Sequence, residues 1–231
     1  MLDKKVIRLK VEGRYALFTP PVLSTERISY PCMTQSSARA VLEAILWKPD
    51  FQWYVRRILV LKPVKFLSVK RNEINKYGGD SPIYIEDSRI QRSSMVLHNV
   101  AYIIEASVFM HSTKQYKPDK YIEMFMRRVE RGQCFRRPYL GTREFSCEFS
   151  FPTEKDVPIE DDILVGTMLF DMYYDKKGIP TPVYVRNVLV KSGVFNCQVP
   201  ENDSLRMSTH ILPERNEEIL EALEVAEAQY A

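Results

Sequence analysis

No stretch of this sequence approaches the ~20 consecutive apolar residues that a helix needs to cross a bilayer. The N-terminus, M-L-D-K-K-V-I-R-L-K, alternates charged and apolar residues and has no apolar segment of the secretory type, so export is not expected. Cysteine is scarce and scattered. Cys32, Cys134, Cys147 and Cys197 show no C-x-x-C spacing, which argues against a zinc site and a disulfide framework and fits a reducing cytoplasm. The three histidines, His98, His111 and His210, have no partner at ligand spacing, and Asp161-Asp162 reads as a solvated turn rather than a metal site. G-x-S-x-G, P-loop and G-x-G-x-x-G motifs are all missing, so hydrolase, NTPase and dinucleotide-binding chemistry lack their usual signatures. Neither a metal nor a cofactor is expected. Internal repeats and low-complexity segments are also lacking.

What is present is an ordinary globular composition, 45% hydrophobic and 27% charged over 231 residues, enough for one large domain or two small ones. The net charge of +3 conceals an asymmetry: residues 201–231 hold eight acidic and two basic side chains, so the first 200 residues carry +9. A basic body with an acidic tail points, without specificity, to a polyanionic partner.

Residues 5–12 alternate, with Ile7, Leu9 and Val11 on one face and Arg8, Lys10 and Glu12 on the other, which predicts a half-buried strand ended by Gly13. Arg14, Tyr15 and Phe18 follow, at the expected rim of a sheet. Residues 36–47 repeat apolar side chains at Ala38, Val41, Leu42, Ile45 and Leu46, a helix capped by Ser36 or Ser37 and stopped by Lys48-Pro49. Trp47 falls off its apolar stripe, either packing a loop or offering a stacking surface. Two β-branched and aromatic runs joined at Pro63 read as a strand pair, the second closing on Lys70, Arg71, Asn72 and Glu73. Residues 94–110 read as a further strand, broken or bulged near Asn99.

Residues 117–130 predict a helix, with Pro118 in the first turn, Asp119 complementing the helix dipole and Gly132 as a left-handed cap. Tyr121, Ile122, Phe125, Met126 and Val129 share its core arc, and Lys120, Arg127 and Arg131 lie opposite. The following F-R-R-P-Y-L-G-T-R-E-F has the composition of an extended strand and carries Arg136, Arg137, Tyr139 and Arg143. A cationic helix face leading into an arginine- and aromatic-rich segment suits a phosphodiester chain with stackable bases; the plain alternative is a solvated basic face.

The order strand, helix, strand pair, strand, helix, strand is the βαββαβ order of an α+β, ferredoxin-like (RRM-type) domain, placed at residues 1–150. From Pro152 the composition changes. Two strands flank D-K-K-G-I-P, and residues 213–229 predict an acidic helix, so residues 151–231 form a smaller antiparallel β-rich domain. The sheet face of such an N-terminal domain commonly binds RNA. RNA supplies its own nucleophile, the 2′-OH, so cleavage without a metal needs only in-line positioning, a proton acceptor and cationic stabilisation of the phosphorane. The candidates for that chemistry are Lys120, its neighbour Tyr121 and the upstream His111, with core packing and an inert strand end as the respective alternatives for the last two. The candidate RNA contacts are Arg14, Tyr15, Trp47, Lys48, Arg71, Arg127, Arg131, Arg136, Arg137 and Tyr139.

Three blocks carry a resemblance. E-R-I-S-Y-P-C-M-T-Q-S-S-A-R-A-V-L-E-A-I-L-W-K-P, V-L-K-P-V-K-F-L-S-V-K-R-N-E-I and M-F-M-R-R-V-E-R-G-Q-C-F-R-R-P-Y-L-G-T-R-E-F resemble CRISPR-associated protein family five, variant d, the type I-C member of the RAMP superfamily. The resemblance implies a ferredoxin-like domain with a smaller β-rich one. It also implies a metal-independent endoribonuclease that cuts precursor CRISPR RNA beside the repeat hairpin, leaves a 2′,3′-cyclic phosphate, keeps the 5′ handle and joins the other subunits of the type I-C Cascade complex, with no membrane partner. The family's proposed catalytic set is a tyrosine just before W-K-P and a Lys-His pair opening the basic helix. Lys120 matches the lysine, whereas Leu46 stands at the tyrosine position and Tyr121 at the histidine position. A non-catalytic scaffold that grips the handle is the alternative.

Overall fold

One long strand organises the computed structural model, which describes residues 6–23, 27–74, 76, 82–110, 117–174 and 180–197. This central strand, β5 (Arg89–Met110), is 22 residues long. Along its second half β1 (Ile7–Ala16) pairs antiparallel on one side and β3 (Phe51–Val60) antiparallel on the other. β6 (Glu148–Ser150) adds to the outer edge of β1 and β9 (Val194–Asn196) to that of β3, giving the order β6-β1-β5-β3-β9. The two-residue β2 (Arg27–Ile28) lies parallel to β5 at Ser94 and Met95.

The expected strand pair on either side of Pro63 is found as two strands, but they do not pair with each other. β4 (Phe66–Ile74) runs antiparallel to the first half of β5, and Leu97 is flanked by Ala16 of β1 and by Phe66 of β4. β4 therefore lies on the β3 side and continues it end to end. Pro63 has no N–H to give the ladder, which accounts for the break. A short helix, α2 (Ile85–Ser88), precedes β5. The break or bulge expected near Asn99 is not found, since the register with β1 runs through it without a shift; β5 changes neighbours there, Asn99 has φ 54°, and Lys62 Nζ donates to Asn99 Oδ1 at 3.0 Å. The strand otherwise passes through unbroken.

Gly13 does not end β1, which continues to Ala16. A Cβ at Gly13 would stand 2.7 Å from Leu140 Cδ1, so close packing rather than chain reversal explains the glycine. α1 (Gln35–Ile45) is capped by Thr34, whose Oγ1 accepts from Ser37 N at 3.2 Å, rather than by Ser36 or Ser37, and it stops two residues before the expected end. α3 (Pro118–Glu130) buries Tyr121, Ile122, Phe125 and Val129, but Met126 is 39% exposed at the margin of the arc. Gly132, with φ 62°, caps α3 as expected.

Both helices contribute their apolar faces to one core with Leu9, Val11, Ile58, Tyr102 and Ile104 of the sheet. Trp53 is fully buried there, its ring 4.8 Å from Phe125 and its Nε1 donating to Leu46 O at 2.9 Å. A side chain so placed is worth about 3–5 kcal/mol against alanine. Phe18, expected at the rim, is also in the core. β7 (Ile163–Tyr174) and β8 (Pro180–Val190) form a separate antiparallel two-stranded sheet tied to α1: Arg39 pairs with Asp171, and Leu169 N donates to Tyr30 Oη at 3.1 Å. Most of the expected D-K-K-G-I-P turn and all of the expected helix at 213–229 lie outside the described residues. Among those described, no helix is long and apolar enough to cross a membrane.

Candidate nucleic-acid interface

The C-terminal end of α1 exposes carbonyls that no further helical turn can satisfy. Ala44 O accepts from Phe135 N at 2.9 Å and from Arg136 N at 3.1 Å, and Ile45 O accepts from the half-buried Arg128 guanidinium. A cation at this end also complements the helix dipole. The chain leaving α3 is thus pinned against the end of α1, where Trp47 and Lys48 follow. Trp47 is 58% exposed and Phe135 80% exposed, with Lys48, Arg136 and Arg137 exposed beside them in sequence. Trp47 consequently presents its ring to solvent instead of packing a loop.

Residues 135–145 are not the extended strand that their composition suggested, but part of a loop at residues 133–147. They form turns closed by an isolated bridge between Tyr139 and Ser146, with Leu140 N donating to Phe145 O at 2.8 Å and Cys147 N to Pro138 O at 3.1 Å. Leu17 N donates to Leu140 O at 3.0 Å and fastens this loop to the end of β1. Gly141 has φ 87°, and a Cβ there would fall 1.9 Å from Leu17 O. Gly141→Ala is expected to lower the unfolding free energy, measured by urea unfolding, by well over the ~1 kcal/mol of an ordinary misplaced side chain, because backbone must move. Around the loop an open cavity of ≈ 270 Å³ is lined by Arg136, Arg137, Pro138, Tyr139, Arg143 and Ser146. Arg137 also pairs with the exposed Glu148.

The other flank of the same loop meets the sheet. The Tyr15 ring lies 5.7 Å from Phe145 and 5.5 Å from His98. The Arg14 guanidinium stands 5.0 Å from the Tyr15 ring, and that of Arg71, which pairs with Glu144, stands 5.7 Å from Phe145. The loop therefore joins two groups: Trp47, Lys48, Arg136, Arg137 and Tyr139 on one side, and Arg14, Tyr15 and Arg71 on the other. Arg127 and Arg131 are exposed on α3, as their spacing predicted. Sequence reasoning assigned no role to Phe135, Phe145 or His98. Exposed aromatics next to arginines were visible at Phe135, but nothing local brings His98 or Phe145 to Tyr15.

Lys120 is exposed at the start of α3, its Nζ 5.8 Å from the centre of the Tyr121 ring. Tyr121 itself is 3% exposed with its ring 4.8 Å from that of Phe51, so it is a core side chain and not a surface hydroxyl. Leu46 is fully buried. His111 lies outside the described residues. Burial pushes the Cys32 and Cys147 thiols up to about 12, which leaves them protonated and unreactive. Burial likewise raises the carboxyl of Glu43, on α1 beside this region, against the pull of Arg39 and Arg136. Among the described residues no three His, Cys, Asp or Glu side chains gather as a metal-binding group.

Residues 6–177 match the family described as CRISPR-associated protein (Cas_Cas5), variant Cas5d. The chain is 42% identical over 182 residues to the CRISPR pre-crRNA endoribonuclease Cas5d of Thermus thermophilus, covering 78% of this chain and 79% of that protein. It is 39% identical over 213 residues to the CRISPR pre-crRNA endoribonuclease Cas5d of Mannheimia succiniciproducens, covering 82% and 93%. A solved CRISPR-associated protein superposes with TM-score 0.64 at 21% identity, over 86% of this chain and 95% of that one. The functionally uncharacterized SMU1763c of Streptococcus mutans gives 0.63 at 17%, over 84% and 93%. At such identities these two likenesses speak to the fold alone.

Proposed function

The chain belongs to the Cas5d family of CRISPR-associated proteins, and from that premise we propose that it is the endoribonuclease that cuts precursor CRISPR RNA within the repeat. The observation that carries this reading is the 42% identity to a pre-crRNA endoribonuclease over most of both chains. The reaction is a transesterification. The 2′-oxygen attacks the neighbouring phosphorus, the P–O5′ bond breaks, and a 2′,3′-cyclic phosphate and a 5′-hydroxyl result. The 2′-OH proton passes to a base and the leaving 5′-oxygen gains one. Lys120 neutralises charge on the phosphorane. Trp47, Phe135 and Tyr139 stack bases while Arg127, Arg131, Arg136 and Arg137 hold phosphates.

The βαββαβ reading belongs to the same proposal. The order β6-β1-β5-β3 with all pairs antiparallel, and α1 and α3 as the crossovers, supports a ferredoxin-like domain over residues 1–150. Residues 151–231 are proposed as the second, β-rich domain, held by Arg39–Asp171 and returning β9 to the first sheet. The protein keeps the 5′ handle and joins the type I-C Cascade complex in the cytoplasm. A second reading, a scaffold that binds the handle without cutting it, is favoured by the burial of Leu46 and Tyr121 at two positions of the family's catalytic set.

One assay separates the readings: purified protein should cut its repeat RNA in excess EDTA. Strict dependence on magnesium or manganese would sink the metal-free chemistry, and binding without cleavage under any condition would leave the scaffold. Affinity for single-stranded RNA is expected to fall with salt, with a log–log slope near 3 if the four arginines contact four phosphates. Replacing all four by alanine without effect on binding would remove the proposed grip.

A further inference from the structure

The face of the sheet turned away from α1 and α3 carries a second group of cations. Phe51, Trp53 and Val55 of β3 point into the core, and so do Ile58 and Val60. The inward positions switch from odd to even numbers because the pairing with β5 shifts between Val55 and Arg57, a β-bulge at Arg56. The bulge sends two consecutive side chains, Arg56 and Arg57, to the outer face. Arg57 faces Glu105 of β5, and Arg8 of β1 faces the same glutamate from the opposite side. Glu105 is 5% exposed and accepts from Arg57 Nε at 2.7 Å, with Arg8 Nε 3.0 Å from its other oxygen. Arg56 Nε donates to Ser107 Oγ at 2.9 Å. All three contacts engage Nε, while the Arg8 and Arg57 side chains remain 51% and 54% exposed. Their outer guanidinium nitrogens are thus presented in fixed orientation to an incoming anion.

Charge balance separates this tier from the rest of the face. Lys10 and Lys62 are matched by Glu12 and Asp156. In the arginine tier, Arg8 and Arg57 share the carboxylate of Glu105 and Arg56 bonds only the neutral Ser107 hydroxyl, so among the described residues three guanidiniums stand against one carboxylate. We propose that Arg8, Arg56 and Arg57 form a second RNA-backbone site that binds the phosphodiester chain beyond the loop at residues 133–147. Two observations favour RNA over an acidic protein. Arg14, part of the arginine–aromatic row beside the loop, lies on the same outer face of β1 as Arg8, about 20 Å along the strand. Tyr54, directly opposite Ser107, brings a half-buried ring to the same tier. A strand leaving the loop past Arg14 reaches the tier after a few nucleotides.

The inference rests on the RNA-binding reading above, and its test keeps the two apart. Binding of the full repeat RNA and of a short single strand too brief to span both sites is measured by fluorescence anisotropy over a salt series, for the parent protein, Arg56→Gln and the double variant Arg56→Gln/Arg57→Gln. Arg56→Gln leaves both contacts to Glu105 in place and so guards against misfolding, which urea unfolding checks directly. Expected are a salt slope on the full repeat that is shallower by about 0.7 for each phosphate no longer neutralised, roughly tenfold weaker binding for the double variant, and unchanged affinity for the short RNA. Equal binding of the full repeat by all three proteins would overturn the inference while leaving the loop interface standing. Equal weakening on both RNAs would also overturn it, since the substitutions would then act through the fold. A parent protein that binds neither RNA refutes the RNA reading and this site with it.

Discussion

A repeat RNA with a single 2′-deoxy nucleotide immediately 5′ of the cut is expected to stay intact under conditions in which the all-ribose RNA is fully processed. On the proposed chemistry the 2′-oxygen is the nucleophile, so removing it removes the bond-forming atom rather than weakening an interaction. The loss should be complete on the timescale of the assay, with binding nearly unchanged because the phosphates and bases remain. The checks are single-turnover gel analysis and an affinity measurement on the same RNA. Cleavage of the deoxy substrate at the all-ribose position would mean that water attacks instead, and the role given to Lys120 would have to be rebuilt around a different transition state.

The second large effect is expected at Lys120. It is exposed at the first turn of α3, and the proposed chemistry gives it the charge-neutralising role. An ammonium that meets the developing phosphorane charge contributes ~3 kcal/mol, on the order of a hundredfold in rate. Lys120→Ala should therefore slow single-turnover cleavage about a hundredfold at saturating enzyme and weaken binding only slightly. Tyr121→Phe should cut near the parent rate, because the ring is buried against Phe51. Two imidazoles serve as controls, His111 and the His98 that lies against Tyr15. If Lys120→Ala cuts normally and His98→Ala is inactive, the reaction takes place beside Arg14 and Tyr15, on the other flank of the loop. If His111→Ala is the inactive one, the chemistry lies just upstream of α3.

The elements with strong local signals were legible in the sequence. α1 and α3 declare themselves by 3.6-residue periodicity, α3 also by a proline start and a glycine stop, and β1 by alternation, since these patterns record which side chains a helix or strand must bury. The exposure of Arg127 and Arg131 followed from the same periodicity. The switch from odd to even apolar positions in F-Q-W-Y-V-R-R-I-L-V also stands in the sequence, but an extra residue in a strand has meaning only against a partner. Pairing with β5 turned Arg56 and Arg57 to the same face. Composition alone made residues 135–145 look extended, because arginines and aromatics suit a strand and a folded loop equally. Hydrogen bonds to Ala44 and Leu17, about 90 and 120 residues away in the chain, made it a loop. Tyr121 shows the same division. Its place at the edge of the apolar arc allowed a hydroxyl at the surface or a ring in the core, and contact with Phe51 of β3 decided for the core. Periodicity reports which face of an element is buried. What covers that face, and which distant side chains meet there, depends on contacts between residues far apart in the chain, and only the tertiary structure contains them.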